Sequence, residues 1–352
     1  MAAVPTPVRD DLADMPTVIR LAVTLDGNGV GMLDRRTFPL DTSVVRCRTP
    51  EEVARAIEEM VTQSAGPFFA AGAGLVLAAR EAERLPPDKR RAYLDAAAAR
   101  LLRTRPTNNN IRTVVGRLMA VVAPDMGQGL AGRMEAEMRR AWAERHERSR
   151  RLGRHAAAVI ADGDKVLTHC WAESSLVCTL QAARQDGKSL SVVCTETRPY
   201  LQGARLTAHS VGEMGFDVTV ITDGMAACAM DGNRVSRLMT AADRVTLSGH
   251  VVNKVGTLQL AIAARHFGLP FTAMVQQPDR QAPTPAHVEM EDRDGSESLM
   301  CLGRRTASPL ARGWYPAFDV TPPGLVTHVA TTDGVFDPAE LGARYGTTPA
   351  PA

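Results

Sequence analysis

Two residues carry most of the chemistry that can be read from this chain. Cys170 ends the run Thr168-His169-Cys170, after an apolar strand-like stretch and ahead of a helical pattern. A thiol there sits near a helix N-terminus, whose dipole favours thiolate. A buried structural cysteine is the plain alternative. Asp243-Arg244 interrupts the apolar run TAADRVTL. A carboxylate there is expected to be partly buried, which raises its pKa and suits it to general-acid work. A buried ion pair with Arg244 is the other reading. Three further segments join them. Glu196-Thr197-Arg198-Pro199 and Gln202-Gly203-Ala204-Arg205 follow a strand and open a helix, so they can offer backbone N–H groups and an arginine to an anion. Asp223 ends the strand VTVIT and reads as a helix cap. Asn253-Lys254 is placed at a helix start after the turn Gly249-His250, where Lys254 either holds a phosphate or lies exposed. Gly72-Ala73-Gly74-Leu75 resembles part of a dinucleotide fingerprint. It lacks the preceding strand and a following acid, so close helix packing is the better reading.

The elements that must position these groups change character along the chain. Residues 17–47 read as short strands joined by turns, TVIRLAVTL among them. Thr49, Pro50 and Glu52 form a capping box, followed by an apolar face at Val53, Ala56, Ile57, Met60 and Val61. Helical patterns continue over Ala70–Arg84, Asp88–Leu102, Ile111–Val122 and Leu130 to about Arg151. Beyond Gly153, apolar runs alternate with helical segments. The runs are Lys165–Thr168, Leu190–Cys194, Val218–Ile221, a broken stretch from Arg237 to Leu247, and Phe271–Val275. Helical patterns intervene near Leu176–Arg184, Ala204–Met214 and Val255–His266. The fold class is therefore α/β. A helical N-terminal domain (1–152, with short strands at its start) precedes a Rossmann-like, mostly parallel sheet domain (153–352). Ligands in such sheets bind beyond the carboxyl ends of the strands, where these candidate residues fall.

Composition narrows the function classes. The 352 residues suggest two domains. Lys plus Arg number 41 against 39 Asp plus Glu, and aromatics are 4%, so a nucleic-acid partner is not expected. No apolar stretch is long enough to cross a bilayer, and the first fifteen or so residues read as a loose arm rather than a secretory signal. Six cysteines, none in a C-x-x-C pair, fit reduced and mostly buried thiols in a cytoplasmic protein, without a metal site or disulfide scaffold. Cys47, Cys178, Cys194, Cys228 and Cys301 keep that structural reading.

Taken in order, the segments resemble one family. It comprises the methylthioribose-1-phosphate isomerases, the ribose-1,5-bisphosphate isomerases and the regulatory subunits of the eukaryotic initiation-factor nucleotide exchanger. The resemblance runs from about residue 20 to 340 on VRCRTPEEVARAIEEMV, RPT at 105–107 with Asn110, LTHC at 167–170, ETRPYLQGARLTA at 196–208, ITDGMAA, AADR, NKVGT and YPAFDVTP. It implies a homodimer that isomerises an aldose 1-phosphate, such as a 5-modified ribose 1-phosphate, to the ketose, with no metal or organic cofactor. Asp243 matches the proton donor that helps the ring oxygen leave. Cys170 matches the cysteine that takes the C2 proton or assists a hydride shift. Gln63, Ser64 and Ala65, with Arg105, Gln202, Asn253 and Lys254, match substrate-holding positions.

The chain departs from the family pattern in three places. Gln63 to Phe69 replaces a loop that reads RGAPAIG, Trp171-Ala172-Glu173-Ser174 replaces a small polar run, and His250 stands where an acid is usual. All three are expected to lie on loops lining the site, which implies an altered substrate. A non-catalytic sugar-phosphate or nucleotide sensor is the competing reading. Retention of both Cys170 and Asp243 weighs against it. A nicotinamide dehydrogenase, which the sheet type permits, lacks a glycine fingerprint.

Overall fold

The computed structural model describes residues 12–105, 109–123, 125–290 and 292–346. Most of the N-terminal arm, and Pro106 and Thr107 of the RPT segment, lie outside them. The chain divides into two compact units between Glu147 and Arg148.

The first unit begins with a difference from the sequence reading. Thr17–Arg20 is a short helix (α1) and not a strand, although it is rich in β-branched residues. A three-stranded antiparallel sheet follows, made of β1 (Val23–Asp26), β2 (Gly29–Leu33) and β3 (Val44–Cys47). Helix α2 (Pro50–Glu58) starts on the expected capping box. The Thr49 hydroxyl accepts from the Glu52 N–H at 3.2 Å, and the Glu52 carboxylate accepts from the Thr49 N–H. Helices α3 (Gly66–Ala82), α4 (Pro87–Arg103) and α5 (Asn109–Val122) follow, then the long α6 (Leu130–Ala158). Almost every residue of α3 is buried, and it passes through the middle of this unit's core. Its glycines serve packing, as expected. A Cβ on Gly74 would come within 2.9 Å of Val53, and one on Gly72 within 3.3 Å of Met138 and Val114.

In the second unit the strands are β4 (Lys165–Thr168), β5 (Ser191–Thr195), β6 (Asp217–Ile221), β7 (Arg237–Ala241), β8 (Arg244–Val245), β9 (Val251–Lys254) and β10 (Phe271–Met274). Four two-residue strands follow: β11 (Asp292–Arg293), β12 (Met300–Cys301), β13 (Arg304–Arg305) and β14 (Tyr315–Pro316). The series ends with β15 (Phe318–Thr321), β16 (His328–Thr331) and β17 (Gly334–Phe336). Helices α7 (Glu173–Gln185), α8 (Ala208–Glu213), α9 (Ala226–Asp231), α10 (Thr257–His266) and α11 (Leu341–Tyr345) connect or follow them.

The main sheet runs β17-β16-β10-β7-β4-β5-β6, parallel except for the β16–β17 hairpin. Its six parallel strands have the doubly wound order, with the chain reversing direction of travel between β4 and β7. Alternation explains the continuous apolar strands. Val166, Val192, Met239 and Met274 face one layer with α7, while Leu167, Val193, Leu238 and Ala273 face the other with α9 and α10. A separate antiparallel sheet, β15-β9-β8, stands beside α10. Among the described residues, no helix is long and apolar enough to cross a membrane, and no group of three or more His, Cys, Asp or Glu could hold a metal ion.

Candidate active site

Cys170 lies two residues beyond the end of β4, and Asp243 two residues beyond the end of β7. These strands are parallel neighbours at the reversal point, with Val166 opposite Arg237 and Leu167 opposite Leu238. The two residues therefore lie at the same end of the sheet.

The loops there are held in uncommon backbone conformations. Cys170, Glu173, Thr197 and Leu201 all have φ between +51 and +63. None is glycine, so each position is strained, and such strain concentrates at functional sites. Hydrogen bonds hold the strain in place. The Cys170 N–H donates to the Thr197 hydroxyl at 2.9 Å, and the Thr207 hydroxyl donates to the Cys170 carbonyl. His169 is fully enclosed. Its Nε2 donates to the Val255 carbonyl at 2.9 Å, and its Nδ1 accepts from the Thr195 hydroxyl at 2.6 Å. Burial pushes its pKa below the usual histidine value, so the ring is neutral, as that pattern requires.

Asp223 was read as a helix cap, and the structure gives it another task. Thr222 occupies the N-cap position of the turn that follows β6, without a side-chain capping bond. The Asp223 carboxylate instead accepts the Thr197 and Arg198 N–H groups, both at 2.8 Å. Those two amides are therefore not presented to an anion, as the sequence had suggested. Arg198 gives Nη2 to the Ser298 carbonyl at 3.3 Å, and its buried Nη1 has no hydrogen-bond partner. Gln202 is buried, and its Oε1 also lacks a donor. An orphaned acceptor of this kind costs free energy unless a ligand or water satisfies it. Gly203 next to it opens a π-helical turn. A Cβ there would lie 1.8 Å from the Thr195 carbonyl oxygen, so only glycine lets this turn close against β5.

The two central groups differ in their surroundings. Burial pushes the Cys170 thiol up to about 11. The Lys254 ammonium and the Trp171 N–H pull it down, while Asp243 and Asp223 push it further up. Desolvation therefore outweighs the helix dipole, and Cys170 rests as a thiol. Asp243 is exposed rather than partly buried. Its neighbour Arg244 pairs with Asp279 at 3.2 Å.

Asn253 and Lys254 do not start a helix. They end β9, and α10 begins at Thr257. Both are buried. Asn253 donates to the Thr257 hydroxyl at 3.0 Å. Lys254 reaches the Tyr315 hydroxyl at 3.3 Å, with its ammonium 5.5 Å from the Tyr315 ring centre and 5.1 Å from that of Phe318. Register places Lys254 opposite Phe318 and Asn253 opposite Asp319.

Sequence reasoning missed Asp319 and Tyr315 as individuals, although both lie in YPAFDVTP. Asp319 accepts the Gly256 N–H at 2.7 Å and the Leu258 N–H at 3.1 Å, and burial raises its carboxyl to about 6. Burial also raises the Tyr315 hydroxyl, with Tyr200 and Cys170 adding to the shift. Tyr200 packs edge-on against Tyr315, and Arg293 lies over the Tyr200 ring. The excursion between β10 and β15 thus supplies part of the surroundings of Cys170.

Four of the candidate residues belong to the first unit. Gln63 is buried, Ser64 is exposed with φ +55, and Ala65 precedes α3. Buried Arg35 donates to the Gln63 carbonyl at 2.7 Å and anchors this loop. Arg105 donates to the Met60 sulfur, which brings it to the same loop. The three departures lie in different surroundings. Phe68 and Phe69 are buried in α3, where Phe69 stacks on His146 and meets Trp142 edge-on. His250 occupies the β8–β9 turn with its ring held by Ser248, about 10 Å along the strand from Asn253. Trp171 is buried beside Cys170, and its indole N–H has no acceptor. The other cysteines divide. Cys47, Cys178 and Cys194 are buried, Cys301 is partly buried, and Cys228 is exposed.

Comparison with known proteins adds to this geometry. A model of the initiation factor 2 subunit family matches residues 64–338. The methylthioribose-1-phosphate isomerase of Xylella fastidiosa is 35% identical over 336 residues, covering 91% of this chain and 94% of the relative. Among solved structures, 5-methylthioribose 1-phosphate isomerase from Pyrococcus horikoshii superposes with a TM-score of 0.83 at 30% identity, over 97% of each chain. The protein described as translation initiation factor eIF-2B, subunit delta, from A. fulgidus gives a TM-score of 0.81 at 32% identity, over 91% of this chain and 96% of that one.

Proposed function

The chain belongs to the initiation factor 2 subunit family, and from that premise we propose that it is an aldose–ketose isomerase acting on a 5-modified ribose 1-phosphate. The name of its relatives makes 5-methylthioribose 1-phosphate the first substrate to test, with the 5-deoxy compound beside it. The observation that carries this reading is the placement of Cys170 and Asp243 past the two strands that flank the reversal point.

The anomeric phosphate locks such a sugar as a ring, so ring opening must come first. Asp243 gives a proton to the ring oxygen as the C1–O bond breaks. Hydrogen then passes from C2 to C1, the C2 hydroxyl loses its proton, and C2 becomes the ketone. The proton lost from the hydroxyl balances the one given at the start. Cys170 stands at the C2–C1 step. As a base it would have to be thiolate, and burial holds it as a thiol. A hydride shift past the thiol therefore fits the site better than proton abstraction. Lys254, Asn253 and Gln202 hold the phosphate. Neither step calls for a metal or organic cofactor. With this reading goes a homodimer, which light scattering measures.

A panel of aldose 1-phosphates followed by NMR tests the proposal. Ketose 1-phosphate from a 5-modified ribose 1-phosphate is the expected result, and none from any panel member would overturn it. Running the reaction in deuterium oxide separates the routes, because a hydride shift leaves C1 free of solvent deuterium.

A further inference from the structure

The bend between Lys254 and α10 is gripped from two sides. His169 donates to the Val255 carbonyl at 2.9 Å. Asp319 accepts the Gly256 N–H at 2.7 Å and the Leu258 N–H at 3.1 Å. Gly256, between them, has φ +106, and a Cβ there would meet the His169 ring at 3.0 Å. Side chains cannot follow the chain through this point, so the backbone alone makes the turn. The residue before His169's partner is Lys254, and the residue after His169 is Cys170. The grip therefore ties the two candidate groups to one stretch of backbone.

We infer that Asp319 is a positioning residue, which fixes Lys254 and Asn253 for phosphate by clamping the 256–258 amides. The inference rests on the reading that Lys254 and Asn253 hold the phosphate of the substrate. Several observations support it. Asp319 lies opposite Asn253 on the paired strand. Lys254 is the charged group that acts on it, lowering a carboxyl otherwise raised by burial, and neutral His169 faces the bend from the β4 side. An anion there also offsets the cost of keeping the Lys254 ammonium charged while buried. Protonation below pH about 6 removes that anion and weakens both amide bonds. Phosphate binding should weaken as pH falls through this range.

The test is calorimetry of inorganic phosphate binding from about pH 5 to 8. It compares the full wild-type chain with Asp319→Asn and Asp319→Glu, alongside KM and kcat on 5-methylthioribose 1-phosphate. Displacing a binding group by a fraction of an ångström is expected to weaken phosphate binding and raise KM about tenfold or more in Asp319→Asn, with kcat changed far less. Phosphate titrates in the same range, so the difference between wild type and variant is what reports on Asp319. That difference should vanish toward low pH. Circular dichroism checks folding. If Asp319→Asn does not fold, Asp319→Glu carries the comparison, with weaker binding than wild type and the pH dependence kept. Wild-type affinity across the pH range in the folded variant overturns the clamp, as does a wild-type chain that binds no phosphate. A wild-type chain that makes no ketose yet binds phosphate with this dependence on Asp319 leaves the clamp standing and removes the isomerase reading.

Discussion

Cys170 and Asp243 each stand two residues past the carboxyl end of a strand, and those strands, β4 and β7, are parallel neighbours. Crossovers leave this pair in opposite directions along the sheet, which opens a crevice between their loops. The site is therefore a consequence of strand order, and its chemistry follows from how each loop is buried. One loop holds a partly buried thiol, and the other leaves a carboxylate in contact with water.

That asymmetry separates catalysis from stability. Asp243 is exposed, so Asp243→Asn should alter unfolding free energy by no more than about 0.5 kcal/mol. Turnover should nevertheless fall by about a hundredfold or more if Asp243 protonates the ring oxygen. Cys170→Ser should lose activity to a similar degree. Urea melts and NMR assays on the same preparations check both, and full turnover in either variant ends its assigned role.

The partly buried thiol also predicts a reactivity order. With its pKa raised to about 11, Cys170 should be alkylated slowly by iodoacetamide at neutral pH, and the rate should still be climbing at pH about 10. Exposed Cys228 should be labelled first. Lys254→Met should shift the Cys170 profile to still higher pH, because the ammonium now pulls the thiol down. Peptide mapping by mass spectrometry follows the two sites separately. Equal labelling of Cys170 and Cys228 at pH 7 would contradict the burial argument.

Asp223 carries the loop that contacts Cys170. Asp223→Ala strips the acceptor from the Thr197 and Arg198 amides, and so should cost about 1–3 kcal/mol in a denaturant titration. Thr197 in turn accepts from the Cys170 N–H, so kcat should fall as well. A variant with wild-type stability and turnover would show that the β5 loop holds its shape without Asp223.

Much was legible from the sequence because it is local. The capping box at Thr49 and Glu52 needs only a three-residue spacing, and the structure forms it. The apolar runs of β4, β5 and β10 are self-contained signals of strands covered on both faces, and these strands and the more exposed edge strand β6 each appear within a residue or two of their expected bounds. Family motifs marked Cys170, Gln202, Asp243 and Lys254 as a set. Local pattern failed where distant contacts decide. The β-branched run at Thr17–Arg20 winds into a helix whose Val18 and Ile19 are buried. Phe68 and Phe69 look like substitutions in a loop, yet they fill the core around α3.

The sequence by itself determined which residues could act and the alternation of elements that carries them. Tertiary structure decided their state. Burial by partners far along the chain keeps Cys170 a thiol, ladder pairing with β15 makes Lys254 a buried strand residue, and an open loop end leaves Asp243 in water. Desolvation and register depend on which segments meet, and spacing along one segment carries no record of that.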